Sequence, residues 1–398
     1  MDVMGNESKI FKRHLWYSVL DAVSAGILSN APVMAIKGLG AADWYLTLPL
    51  VLSSLGMFIG LFSGIMMAER LKKPFVLIPG ICYIACSLCM GLVDSAFWFL
   101  ALYGIGSIFE VMTRPAMAAI IRANYDVDCR GFAIGRIRRW SSLVFLVAGM
   151  GSAYLLDCAE NDRNMIPILV IIAGVFSIIS YFVFGRMSIN DPIDNVKCGV
   201  GGLLATVRRD HKFQHYLVGC LIFGFSGMLY VAVIPAFLSR EFGYSYTTIA
   251  LFVHIIPSIC SFLSIVELGR WFDRVSLWKA WAAIRIGWGL DPLLLALAPL
   301  VPYPVFAILM ARFSRGVVMG GSWILWWQIG INSIAVSSGD TSRYMGVLIF
   351  MNGIIRLIAP PLGALIIYHG SYEMLFIIGG LGVLVSAAYS YVCGVVIR

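Results

Sequence analysis

The sequence predicts an all-α integral membrane protein: twelve transmembrane helices in two pseudo-symmetric six-helix bundles, with both the N- and C-termini cytoplasmic. Three observations predict it. The composition is too apolar for water, apolar stretches of membrane-crossing length recur from end to end, and Lys and Arg are distributed unequally between alternate loops.

The first observation excludes a soluble domain. Of the 398 residues 60% are hydrophobic and only 13% charged, and the mean hydropathy is +0.88. A soluble domain carries about 25% charged residues. The second observation sets the spans, since about 20 apolar residues cross a hydrocarbon core of about 30 Å. The pattern predicts spans at 15–36, 44–68, 75–93, 97–121, 139–157 and 165–185, then 214–237, 246–269, 279–299, 303–330, 344–368 and 372–396. Trp and Tyr near many span ends fit interfacial belts. The first fourteen residues are polar and basic (Lys9, Lys12, Arg13) and precede a stretch of full spanning length, which reads as a retained first helix rather than a cleaved signal.

The third observation orients the spans. Loops on the side opposite the termini hold only Lys37, Arg163 and Arg240, whereas the loops on the terminal side hold most of the 29 Lys and Arg. By the positive-inside rule the termini are cytoplasmic. The formal net charge of +8 is therefore a topological signal and predicts no nucleic-acid partner. The nine Cys have no His-flanked metal spacing; Cys82, Cys86 and Cys89 fall on one helical face and read as small packing residues. Neither a metal site nor a cofactor is expected.

A polar stretch at 186–213 interrupts the chain at its midpoint, with Asn190, Asp191, Pro192, Asp194, Gly199, Gly201, Gly202, Arg208 and Arg209. It divides the chain into an N-terminal bundle (1–185), a cytoplasmic linker (186–213) and a C-terminal bundle (214–398). An internal repeat supports the division. After the second span of each half the chain places an acid and an Arg just beyond a Gly, with Lys downstream. The first copy has Gly64, Glu69, Arg70 and Lys72; the second has Gly269, Asp273, Arg274 and Lys279.

On these residues the sequence resembles the major facilitator superfamily, whose signature in this loop is Gly, three residues, Asp-Arg and a basic stretch. Gly269, Asp273 and Arg274 fit it, while Glu69 replaces Asp and Gly64 stands one place early in the first copy. The stretch from Met310 through Arg312 and Arg315 to Gly321 resembles the Arg-and-Gly motif of the fourth helix of a half. The stretch from Asn124 through Arg130 and Gly131 to Gly135 resembles the loop that follows such a helix. The resemblance implies a secondary transporter working by alternating access. It also implies that Gly64, Glu69, Arg70, Gly269, Asp273 and Arg274 form gating loops whose acids pair across the cytoplasmic face in one state and separate in the other. Arg312 at its motif position implies a link to proton coupling. Helix five carries Gly149 and Gly151 but no Pro, a departure from the Gly-Pro motif of family antiporters.

Charges within the spans are the candidate functional residues, because each costs at least about 2.5–3.5 kcal/mol at mid-membrane unless paired or hydrated. The expected substrate-binding or coupling set is Asp21, Glu110, Arg114, Asp291, Arg312, Arg315 and Arg356. Glu110 and Arg114 stand four residues apart, so they share a helix face and can pair. A carboxyl beside a movable cation suits proton coupling. Asp291 precedes Pro292, and it is the only acid deep in the second half, against Arg312, Arg315 and Arg356. A guanidinium keeps its proton, so this surplus favours an anionic or zwitterionic ligand. Arg285 lies on the cytoplasmic side of Asp291 and is expected to snorkel to that interface. Gly56, Gly60 and Gly64 line one face of helix two for close approach, and Gly353, Pro360, Pro361 and Gly363 bend and thin helix eleven. Trp323, Trp326 and Trp327 line a cavity or anchor at the interface.

No nucleophile motif, nucleotide loop or metal cluster argues for an enzyme, and no large signalling domain argues for a sensor. The function expected is therefore proton-coupled movement of a small organic solute. Multidrug or metabolite efflux on the same fold, a metal-ion carrier and a non-transporting sensor are the alternatives. The expected partners are the solute, H+ and the lipid bilayer, with the protein monomeric in a bacterial inner (plasma) membrane.

Overall fold

The computed structural model describes residues 2–66, 70–125, 127–159, 162–187, 208, 210–272, 274–324, 334 and 338–396. Among them there is no strand, and twelve long helices follow one another. They are α1 (Asp2–Leu28), α2 (Leu48–Met66), α3 (Pro74–Met90), α4 (Ala96–Asn124), α5 (Val127–Cys158) and α6 (Asp162–Gly185), then α7 (His211–Tyr230), α8 (Ile256–Phe272), α9 (Leu277–Leu297), α10 (Pro304–Ile324), α11 (Ser338–His369) and α12 (Tyr372–Val396). Ten helices among the described residues are long and apolar enough to cross a membrane, and two shorter apolar ones cover Asp43–Ile59 and Pro74–Met90. Large apolar side chains such as Ile78, Val147, Phe262, Leu263 and Val385 stay exposed. A surface of that kind suits hydrocarbon and would aggregate in water.

The helices are apolar nearly all round, so their ends and close contacts carry most of the sequence-specific information. Pro74 starts α3 at a position where its missing N–H is not needed. Asp210 caps α7, accepting the Phe213 N–H at 3.1 Å, and its other oxygen accepts from the Tyr344 hydroxyl of α11 at 2.6 Å. α1 continues through Ala31–Val33 into a π-turn, Met34–Gly38, which carries Lys37. A second π-turn, Leu251–Ile255, carries His254 and joins the short helix Tyr246–Ala250 to α8.

The chain forms two compact units. The first comprises Met1–Cys198 together with Tyr244–Ala250, and the second comprises Gly199–Gly243 with Leu251–Arg398. A short piece of the second half of the sequence, Tyr244–Ala250, thus packs with the first unit. In the first unit Ile10, Tyr17, Val76, Ile120 and Phe184 form a buried core. In the second, Phe213, Tyr216, Trp281, Leu348 and Val383 do so. Cys86 and Cys89, which stand as a C-x-x-C pair within α3, are free thiols, as is Cys82 one turn earlier.

Two glycines fix how closely helices approach. A methyl group on Gly56 of α2 would lie 2.8 Å from the Ile108 carbonyl of α4. One on Gly363 of α11 would overlap the Leu229 carbonyl of α7, so that crossing exists only because position 363 has no side chain. Gly363→Ala is expected to lower the thermal unfolding temperature of the purified protein, since overpacking costs about 1–3 kcal/mol. Gly151→Ala, where a methyl group meets nothing within 4 Å, is expected to leave it unchanged or slightly raised.

Candidate functional site

In the second unit α9 and α10 bring the deep charges together. Arg312 and Arg315, three residues apart, lie on the same side of α10, and Asp291 faces them from α9. Arg312 Nη2 donates to Asp291 Oδ1, with side chains 1% and 0% exposed. Arg315 Nη1 reaches Asp291 Oδ2 at 3.5 Å, and its side chain remains 15% exposed. One carboxylate thus answers two guanidiniums. Among the described residues no second acid pairs with either arginine, and the cluster keeps a net positive charge.

The same helix faces hold the cluster in place. Trp288, one turn before Asp291, covers the Arg315 guanidinium at 4.8 Å and donates its indole N–H to Ser322 Oγ at 2.5 Å. Ser314 Oγ donates to the Gly287 carbonyl at 2.8 Å. The Tyr230 hydroxyl is buried without a hydrogen-bond partner among the described residues, as is Arg312 Nε. Tyr230 is an electrostatic neighbour of Asp291, Arg315 and Arg312. Beside one carboxylate the cluster therefore sets two guanidiniums and a phenol hydroxyl, groups that can donate to an anion.

Arg285 departs from expectation. It does not snorkel to an interface; it is 1% exposed inside the second unit. Its Nη1 donates to Ser390 Oγ and to the Ser386 carbonyl at 3.2 Å, and its Nη2 lies 3.8 Å from Cys220 Sγ. Trp281 and Phe223 flank the guanidinium at 4.7 and 5.5 Å. A cation can remain inside when carbonyl and hydroxyl dipoles and aromatic faces replace its water. Arg356 is half-buried on α11.

In the first unit Glu110 and Arg114 of α4 pair at 2.9 Å, with side chains 52% and 58% exposed. A charged pair that open, at mid-helix in an apolar span, has to meet water rather than lipid. Because it is exposed, breaking it costs little. Asp21 of α1 is half-buried and is an electrostatic neighbour of Glu110. Both acids act on the buried phenols of Tyr17, Tyr83 and Tyr181, and Glu110 also acts on Tyr103. Around Glu110 the first unit therefore gathers a second acid and several phenols, whereas around Asp291 the second unit gathers two guanidiniums.

The gating positions are only partly represented. Glu69 and Asp273 lie outside the described residues, as do Trp326 and Trp327. Gly64 lies near the end of α2 and Gly269 within α8. Arg70 and Arg274 are exposed in the loops that follow, where the Arg70 carbonyl accepts Lys72 Nζ at 2.9 Å. Sequence reasoning missed two residues with specific partners, Lys37 and Asp157. Lys37 Nζ donates to the Tyr244 carbonyl at 3.1 Å, and Asp157 accepts the N–H groups of Tyr246 and Thr247 at 2.8 and 2.7 Å. The readable signal was an acid at the end of a span, on the side of the membrane where charges are scarce.

Helices of membrane-crossing length that leave large apolar side chains exposed define a polytopic membrane protein. The chain belongs to the Major Facilitator Superfamily, whose model matches residues 17–337. It is a multi-pass membrane transporter, and its family and structural neighbours are transporters rather than enzymes. Among solved structures it is similar to the nucleoside transporter NupG, with a TM-score of 0.77 at 15% identity, over 96% of this chain and 99% of that one. It is also similar to a POT family transporter in complex with a thioalcohol-conjugated peptide (TM-score 0.70, 15% identity, 98% of this chain and 96% of that one). A third is the human organic anion transporter MFSD10 (TM-score 0.63, 15% identity, 96% of this chain and 99% of that one). No curated protein matches the chain.

Unequal commitment of the two arginines has a measurable consequence. Asp291→Asn strands buried Arg312 and is expected to cost roughly 3–5 kcal/mol, read as a large drop in thermal unfolding temperature in detergent. Arg315→Gln removes the longer and more exposed contact, and is expected to shift that temperature by only a small fraction of that drop.

Proposed function

We propose that this transporter moves a small organic solute bearing a negative charge, an anion or a zwitterion, by alternating access coupled to protons, with both termini cytoplasmic. The observation that carries the reading is the cluster of two arginines and one aspartate in the second unit. Arg312 is committed to Asp291 inside the protein. Arg315, at 3.5 Å from the same carboxylate and with part of its surface open, keeps donors for a carboxylate or phosphate of the solute. The Trp288 ring lies 4.8 Å from its guanidinium carbon, and a planar guanidinium can make a bidentate contact. The nucleoside, peptide and organic-anion carriers of similar fold are consistent with an organic solute, and the loop distribution of Lys and Arg supports the orientation.

Glu110 is the proton-coupling group in this reading. Its side chain is about half exposed, it pairs with Arg114 at 2.9 Å, and it is close to a second acid, Asp21. When Arg114 withdraws, the remaining influences on Glu110 are Asp21 and the phenols of Tyr17, Tyr83, Tyr103 and Tyr181. Asp291 is already taken up by Arg312 and faces Arg315, so it is assigned to the anion cluster instead.

Uptake by proteoliposomes of a panel of radiolabelled organic anions, zwitterions and cations, with and without an inward proton gradient, tests this. For an accepted anion, Arg315→Gln is expected to raise KM at least tenfold, about 1.4 kcal/mol of binding, with Arg315→Lys intermediate. Glu110→Gln is expected to remove the response to the gradient while counterflow of the solute persists. Uptake of cations alone, or an unchanged gradient response in Glu110→Gln, contradicts the respective half of the proposal.

A further inference from the structure

The first two turns of α7 carry a pair of histidines that the proposed transport cycle does not use. His211 and His215 stand at i and i+4, so they share one face of the helix, with Cβ atoms about 5–6 Å apart. Both are exposed, whereas Phe213 and Tyr216 of the same turns point into the core of the second unit. Two imidazoles at this spacing on a helix can reach a common metal ion, because successive turns present both rings to one side.

Each ring is held by its other nitrogen. His211 Nδ1 lies 3.2 Å from Gln214 Oε1. That oxygen only accepts, so Nδ1 carries the proton and Nε2 keeps its lone pair. His215 Nδ1 lies 2.8 Å from the Tyr389 hydroxyl of α12. The same hydroxyl bonds Cys393; with its proton turned to the sulfur, its oxygen accepts from His215 Nδ1. Both rings can then offer an unprotonated Nε2, the tautomer a metal needs, with their outer partners already in place.

We propose that His211 and His215 form a reversible two-histidine site for a divalent transition-metal ion, with Gln214 and Tyr389 as positioning residues. The class of ion follows from the donors. Neutral imidazole suits Zn2+, Ni2+ and Cu2+, and Cu2+ binds most tightly of these at a given nitrogen site; Mg2+ and Ca2+ want oxygen ligands. Among the described residues no group of three or more His, Cys, Asp and Glu gathers to hold a metal, so water completes the coordination and the ion exchanges. Lys212 and the positive end of the helix dipole oppose a dication here, and Asp210 at the N-cap offsets them. Through Tyr389 the site ties the start of α7 to α12.

Titration of the tag-free, full-length protein with Cu2+ in neutral detergent, followed by electron paramagnetic resonance, tests the site. The protein is expected to bind one Cu2+ through two nitrogens. Tyr389→Phe removes an outer partner and no ligand, and is expected to weaken binding about tenfold. His211→Asn and His215→Asn are each expected to weaken it further and to leave one coordinated nitrogen. Both positions are exposed, so the metal-free unfolding temperature is expected to stay unchanged. His369→Asn, at the far end of α11, is expected to bind as the unaltered protein does. A single nitrogen in the spectrum of the unaltered protein, or unchanged affinity in either His211→Asn or His215→Asn, would overturn the proposal. Unchanged affinity in Tyr389→Phe would overturn the positioning role.

Discussion

The organisation of the second unit depends on a buried carboxylate that faces two guanidiniums and is fully engaged by one. An ionised Asp291 with no solvent exposure survives only because Arg312 lies against it, and Arg312 survives only because of Asp291. Several other placements follow from that pair. α9 and α10 must pack with these faces together, Trp288 is brought over Arg315, and Ser314 and Ser322 close the remaining polar gaps. Arg315 is what the pair leaves over: a cation oriented and partly desolvated in advance, with its attraction to Asp291 stretched to 3.5 Å. Pre-orientation of this kind lowers the cost of binding an anion.

The first unit solves a different problem. Glu110 and Arg114 are open and easily parted, and Asp21 adds a second negative charge nearby. In the function proposed above, the first unit carries coupling and the second carries anion recognition. Arg285 has no place in either role. Its buried hydrogen bonds to α12 and its aromatic flanks make it a packing element of the second unit.

Much of this was legible in the sequence. Membrane-crossing length and composition leave few alternatives to helices in lipid, and the cost of intramembrane charge singled out Asp291, Arg312 and Arg315 before any contact was known. The i,i+4 spacing of Glu110 and Arg114 is enough to predict their pairing. What was not legible is partnership between helices. Hydropathy places Arg285 near a span end and so within reach of an interface. It cannot show that Trp281, Phe223 and Ser390 enclose it from α7, α9 and α12. Nor could depth alone show that Asp291 prefers one arginine, because three residues on a helix separate them and only the packing angle decides. Asp157 and Lys37 were passed over because charges near span ends are cheap, although here their partners are specific.

The most direct measurement of the central claim is a pair of double-mutant cycles on unfolding free energy, Asp291→Asn with Arg312→Met and Asp291→Asn with Arg315→Met. The account predicts a coupling of roughly 2–3 kcal/mol for the first pair and below roughly 0.5 kcal/mol for the second. Equal couplings, or the larger one at Arg315, would mean that Asp291 occupies both arginines and leaves no cation for a solute.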